Sequence, residues 1–174
     1  MMKTKTLRLF IPLCLLCITM FQNCSEHTHV DLPDPALESI EVKDITNEAQ
    51  LKVSIENPDG ATGVEGSNKL IDGDTTTKYL AREINVLNID FQFDTVKLVA
   101  SYEFTTGNDF DERDPLDWKF YGSNDGQNWS ELDSHTGMQF RKRRTTYKFH
   151  FKNDQQFTHY RWSISKLYSG NMFQ

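Results

Sequence analysis

The sequence predicts an all-β domain, a sandwich or barrel of antiparallel strands. Apolar and polar residues alternate with a period of two through several segments of strand length. Turn signals built on Gly, Asp, Asn and Pro separate those segments. After the first two dozen residues, no window of ten or more carries a helical apolar stripe. Twelve Phe, six Tyr and three Trp agree, because aromatic and β-branched side chains suit a pleated, half-buried surface.

The strand candidates follow in order. LKVSIEN alternates and is stopped by PDG. In INVLNIDFQF, residues 84–93, Ile84, Val86, Asn88, Asp90 and Gln92 share one face. Asn85, Leu87, Ile89, Phe91 and Phe93 share the other. Residues 95–106 continue, with Val96, Leu98, Tyr102 and Phe104 in partial alternation. WKFY, residues 118–121, runs into a Ser-Asn-Asp-Gly turn. TTYKFHF points Tyr147, Phe149 and Phe151 inward, and HYRWSISKL closes the series. Tyr79, Trp118, Trp129 and Trp162 read as core.

Ahead of the strands, MMKTKTLR is basic and residues 9–21 form an apolar run of signal-core length, short of the roughly 20 residues a membrane helix needs. Cys24 follows, then a polar stretch, which resembles a bacterial lipoprotein signal with Cys24 as the lipidated residue. Phe21 and Asn23 depart from the usual residues before such a cysteine. The expected organisation is a signal over 1–23, a flexible tether over 24–48 and one β domain over 49–174. All three cysteines lie within the first 24 residues, so the domain is expected to fold without a disulfide. HTH at His27–His29 lies in that tether with no third ligand near it, a poor metal site.

Charge narrows the partners. The chain has 19 basic and 25 acidic residues, net −6. Loss of the signal removes Lys3, Lys5 and Arg8 and no acid, leaving 16 against 25, net −9. So acidic a chain is a poor nucleic-acid binder. RKRR, residues 141–144, is the one basic run and reads as a solvated loop or strand edge, with a patch for an anionic glycan or lipid headgroup as the sharper alternative. No nucleophile elbow, phosphate loop or His/Cys ligand spacing is present, and no carboxylate pair stands out, so the chain reads as non-catalytic.

Two stretches, EGSNKLIDGDTTTKY and RDPLDWKFYGSNDGQNWSELDS, together resemble the discoidin-like (coagulation factor 5/8 type C) domain. FRKRRTTYKFHF and YRWSIS fit the strands that follow, so the likeness covers roughly residues 50–174. It is fullest to discoidin-like domains on lipoproteins of gut-type Bacteroidetes. The resemblance implies a galactose-binding-like jelly-roll β-sandwich. It also implies a structural calcium in the KLIDGDTTTKY loop, held by the Lys69 carbonyl, Asp72, Asp74 and Thr77. Family members run on through a final strand whose glutamate completes that shell. This sequence ends at SGNMFQ, so the sandwich is expected to be incomplete at its C-terminus and calcium to bind weakly if at all.

DERDPLDW, residues 111–118, sets Arg113 among acids, which reads as an internal Arg–Asp pair fastening a long loop. The sharper reading makes Asn108, Asp109, Phe110 and Arg113, with nearby Arg82, a sugar-gripping rim. Planar polar groups suit vicinal hydroxyls, and an aromatic suits the apolar face of a sugar. The expected function is a non-catalytic carbohydrate-binding module on a lipid-anchored protein of the bacterial envelope, on the outer membrane. The alternative is a protein-interaction or structural subunit of an envelope complex for glycan uptake or adhesion.

Overall fold

The computed structural model describes residues 2–4 and 42–174. Cys24, most of the 1–23 signal segment and the tether up to residue 41 lie outside the described residues. Two antiparallel sheets form. One is five-stranded in the order β3-β4-β9-β6-β7: β3 is Gln50–Val53, β4 Leu87–Lys97, β6 Pro115–Ser123, β7 Ser130–His135 and β9 Phe157–Leu167. The other is four-stranded in the order β2-β1-β5-β8: β1 is Met2–Thr4, β2 Lys43–Asp44, β5 Val99–Thr105 and β8 Thr146–His150. Three short 3₁₀ turns, Thr46–Glu48, Ser67–Leu70 and Asp111–Arg113, are the only helical pieces among the described residues.

The alternation behaves as read along most of β4. Leu87, Ile89, Phe91 and Phe93 are buried, and β4 pairs with β3 through Leu51↔Phe91 and with β9 through Ile89↔Trp162. It fails at residues 84–86. Ile84 is buried from a loop position, its N–H bonded to the Asn171 carbonyl, while Val86 is exposed. The stretch 95–106 is not one strand either, because the chain turns at Leu98 between β4 and β5. The fold also begins before residue 49. Ile45 is in the core, and Thr46 takes hydrogen bonds with the Asp44 carboxylate. Residues 43–48, expected as tether, are therefore part of the folded unit.

The core is aromatic. Trp118 meets Phe104 and Phe149 edge-on, with ring centres 5.9 and 5.3 Å away, and Phe104 stacks on Trp162 at 5.1 Å. Such geometries add stabilisation beyond the buried area. Two polar handles inside it are satisfied in a chain: the Trp118 indole donates to Tyr102 Oη at 2.7 Å, and Tyr102 donates to Asp133 at 2.9 Å. Burial pushes the Tyr102 phenol well above its ordinary pKa, so it stays a donor. Trp129 departs from the core reading. It is only half-buried and lies against the Arg161 guanidinium, 4.1 Å from the ring centre, while Arg161 pairs bidentately with Asp90.

The Ser-Asn-Asp-Gly turn follows β6. The Asp125 carboxylate accepts from the Asn128 and Gln127 N–H groups and the Asn128 amide, which holds its pKa far below the usual carboxylate range. Gly126 supplies the φ of 67° that this reversal needs.

Candidate functional site

The loop from Thr106 to Asp114 joins β5 to β6, and its shape is fixed from beneath. Thr106 is buried, donates to the Lys142 carbonyl at 2.8 Å and accepts from the Thr145 N–H at 3.1 Å. Gly107 passes so close to Gln174 that a Cβ there would sit 2.6 Å from its amide nitrogen. Asp114 is almost fully buried at the end of the loop. It pairs through both oxygens with Arg143, which also donates to the carbonyls of Asp109 and Phe140. The RKRR run is thus split. Arg141, Lys142 and Arg144 are exposed, but Arg143 points inward as a structural brace.

This corrects the reading of DERDPLDW. The Arg–Asp pair that fastens the loop is Arg143 with Asp114, and Arg113 does something else. Its guanidinium lies 4.3 Å from the Phe110 ring centre and donates to the Gln174 side-chain carbonyl at 2.9 Å. Phe110 is 55% exposed and holds φ 24° and ψ 87°, a costly backbone state for a bulky residue. Asp109 is gripped by Lys78 at 2.9 and 3.1 Å and by the Gln174 amide. Partial burial works against its charge, but the hydrogen bonds from Lys78 and Gln174 prevail and hold its carboxyl below the ordinary range.

Arg82 reaches the same neighbourhood through residues that the sequence reading passed over. The segment Asn171–Gln174 bridges Ala81, by paired backbone bonds with Phe173 at 3.0 and 2.9 Å, and Arg113, whose carbonyl accepts from Gln174 N at 3.4 Å. Arg82 itself is exposed, with its guanidinium 3.6 Å from the Met172 sulfur. Asp109, Phe110 and Arg113 are therefore linked through Gln174 and Lys78, which the sequence did not mark, while Arg82 approaches through Met172, two residues before Gln174. Asn108 is exposed beside Asp109. No local sequence pattern marks Gln174; its contacts span 61 to 96 residues.

The KLIDGDTTTKY loop is closed by its own donors. Gly73 takes φ 73°. Asp72 accepts from the Asp74 N–H at 2.9 Å and the Thr77 hydroxyl at 2.8 Å, and Asp74 accepts from the N–H and hydroxyl of Thr76 at 2.8 and 2.6 Å. These bonds hold Asp74 below its ordinary pKa. The Lys69 ammonium lies 3.6 Å from Asp72. Among the described residues, no group of three or more His, Cys, Asp or Glu converges as a metal shell. Calcium wants six to eight oxygens. Both Asp72 carboxylate oxygens and one of Asp74 already accept N–H or O–H bonds, and the Thr77 hydroxyl is used as a donor.

No family model matches the chain. A segment is 45% identical over 53 residues to a peptide-N(4)-(N-acetyl-β-glucosaminyl)asparagine amidase of Arabidopsis thaliana, a match that spans 29% of this chain and 7% of that protein. Solved structures are similar over far more of the chain. CpGH89CBM32-5 of Clostridium perfringens, in complex with GalNAc-β-1,3-galactose, aligns with TM-score 0.61 at 15% identity over 74% of this chain and 91% of its own. The family 32 carbohydrate-binding module of C. perfringens NanJ, in complex with galactose, gives 0.58 at 10% identity over 74% and 89%. The C-terminal domain of a Bacteroides fragilis chitobiase gives 0.57 at 19% identity, again over 74% and 89%. The chain has the jelly-roll β-sandwich fold of the discoidin-like, family 32 carbohydrate-binding modules.

Proposed function

We propose that the domain binds a glycan without transforming it, at the rim of Arg82, Asn108, Asp109, Phe110 and Arg113. The observation that carries this is Phe110: a large apolar ring left exposed, in a strained backbone state, beside an immobilised arginine. Strain of this kind persists only where surrounding structure enforces it, and here Gln174, Lys78 and Arg143 do so. The pairing of an aromatic face with fixed polar donors matches what a sugar ring offers. The similar structures solved with galactose and with GalNAc-β-1,3-galactose support the reading.

A glycan array probed with the purified protein is expected to yield at least one ligand, and Phe110→Ala should weaken it at least about tenfold in calorimetry, about 1.4 kcal/mol. Equal binding by the variant would place the site elsewhere. No glycan bound, with envelope proteins co-purifying, would favour an interaction subunit instead.

We further propose that Cys24 carries a lipid and holds the protein at the bacterial envelope, on the outer membrane. The apolar run of residues 9–21 directly before Cys24 supports this. Labelled palmitate should enter the wild-type protein and not Cys24→Ala; equal labelling would end the proposal.

The 69–77 loop is proposed to fasten the fold by hydrogen bonds, with calcium bound weakly if at all. Titration calorimetry should detect no calcium affinity tighter than about 10 μM, well short of the strongest calcium sites.

A further inference from the structure

Residues 136–145 join β7 to β8 and carry the RKRR run. Arg141, Lys142 and Arg144 are exposed, and among the described residues their side chains make no hydrogen bond or ion pair. The acids that act on the run, Asp114 and Asp111, act on Arg143, its inward member. A run of like charges is ordinarily a solvated, loosely held stretch. This one is tied down along its backbone. The Lys142 carbonyl accepts from the buried Thr106 hydroxyl at 2.8 Å, and the Arg143 carbonyl accepts from the Thr145 hydroxyl at 3.1 Å. The Arg144 N–H is shared between the carbonyls of Thr106 and Gly107, at 3.1 Å each. Arg144 is held at φ 49°, a left-handed state that costs a residue with a side chain. Three like charges that repel one another are thus kept side by side on a fixed, strained loop.

The same loop is bonded to the rim. The Asp109 carbonyl accepts from Arg143 at 3.2 Å and from the Gln174 amide at 3.0 Å, and Gln174 in turn holds Arg113. The three exposed cations therefore sit beside the loop that carries Phe110.

We propose that residues 141–144 extend the rim as an anion-binding strip, and that the glycan taken there is one bearing carboxylate or sulfate groups. This rests on the reading of the rim as a glycan site and adds the class of glycan. The Phe110 ring meets the apolar face of one sugar, and the anionic groups of neighbouring sugars lie on Arg141, Lys142 and Arg144. An arginine fork matches carboxylate or sulfate with two parallel N–H bonds. Spaced anions on a slender chain suit this strip better than the continuous face of an anionic bilayer. Asp111 and Glu112 are exposed on the adjoining loop, and the whole chain is net −6, so a broad negative surface is repelled.

The test uses the full chain with two anionic probes, hexagalacturonate and a sulfated κ-carrageenan hexasaccharide. Each is paired with its neutral form, the methyl ester and the desulfated sugar. In calorimetry, at least one anionic probe should bind with Kd below about 1 mM and at least about tenfold tighter than its neutral form. The combined variant Arg141→Gln, Lys142→Gln, Arg144→Asn spares the Arg143 brace and puts at 144 a residue that tolerates positive φ. It should melt like wild type and lose the preference for the anionic form. Arg141→Lys with Arg144→Lys keeps the charge and should keep the preference. Three outcomes would each overturn the proposal: neither anionic probe binding, equal binding of the neutral forms, or an undiminished preference in the combined variant. Displacement of the bound probe by phosphatidylglycerol vesicles would reassign the strip to a lipid headgroup and overturn it as well. Phe110→Ala scores the rim separately. Anionic preference kept at full affinity in that variant would remove the rim and leave the strip, whereas neutral and anionic sugars bound equally through Phe110 would leave the rim and remove the strip.

Discussion

Replacing Asp114 by alanine is expected to lower the unfolding free energy by about 3 kcal/mol, the low end for breaking a buried ion pair. Asp114 is 2% exposed, and its carboxylate takes both terminal nitrogens of Arg143. Burial pushes the Asp114 carboxyl above its ordinary pKa, and the Arg143 guanidinium offsets only part of that. The same contact pushes the pKa of Arg143 up. Removing the carboxylate strands a guanidinium whose Nε already lacks a partner. Arg143 keeps some access to water, which is why the low end applies. The charge pair is not in itself a bargain. Asp114→Leu combined with Arg143→Met should recover more than half of the loss. Urea denaturation reads both, as a lower midpoint at unchanged slope. A single-variant loss under about 1 kcal/mol would show that the pair is not what fastens the loop. Because Arg143 also holds the Asp109 carbonyl, Asp114→Ala should weaken any glycan bound at Phe110 even at temperatures where the protein stays folded.

That pair also shows where sequence reading stops. An Arg–Asp fastening of the 106–114 loop was legible as a kind of interaction, from the density of acids around one arginine. Which arginine was not, because Arg143 comes 29 residues later, inside a run that looks solvated. The same limit governs the rim. Asn108, Asp109, Phe110 and Arg113 were readable as types on one loop. Gln174 and Lys78, which set their geometry, enter only through contacts made by the finished fold. Periodicity fared better, since it reports burial directly: Leu87, Ile89, Phe91 and Phe93 all face the core. It failed at Ile84 and Trp129, where no strand fixes the side chain's direction. Ile84 is buried from a loop, and Trp129 lies half-exposed on Arg161.

The second large effect is expected at Gly122. YGSNDGQNW holds two glycines with different jobs, and only one is visible as a turn residue. Gly126 has φ 67° and is needed for its backbone angle. Gly122 sits within β6, paired to Ser130 of β7 and Tyr160 of β9, and needs no unusual angle. What it needs is space. A Cβ there would lie 2.3 Å from the Phe157 Cδ2 and 2.6 Å from its Cε2. The Phe157 ring cannot simply swing away. It is 6% exposed and packs edge-on against Tyr160 at 5.9 Å. Tyr160 is itself pinned, donating to the Lys97 carbonyl at 2.5 Å and accepting from the Val99 N–H at 3.3 Å. Gly122→Ala should therefore cost about 3 kcal/mol, the upper end for overpacking by one methyl group. In a domain of this size that is a fall in melting temperature of roughly 10 °C. Phe157→Leu should be destabilising alone yet less so in the Gly122→Ala background, because the smaller side chain relieves the clash. A melting temperature within about 3 °C of wild type would mean that the ring yields freely, and the steric account of Gly122 would fail.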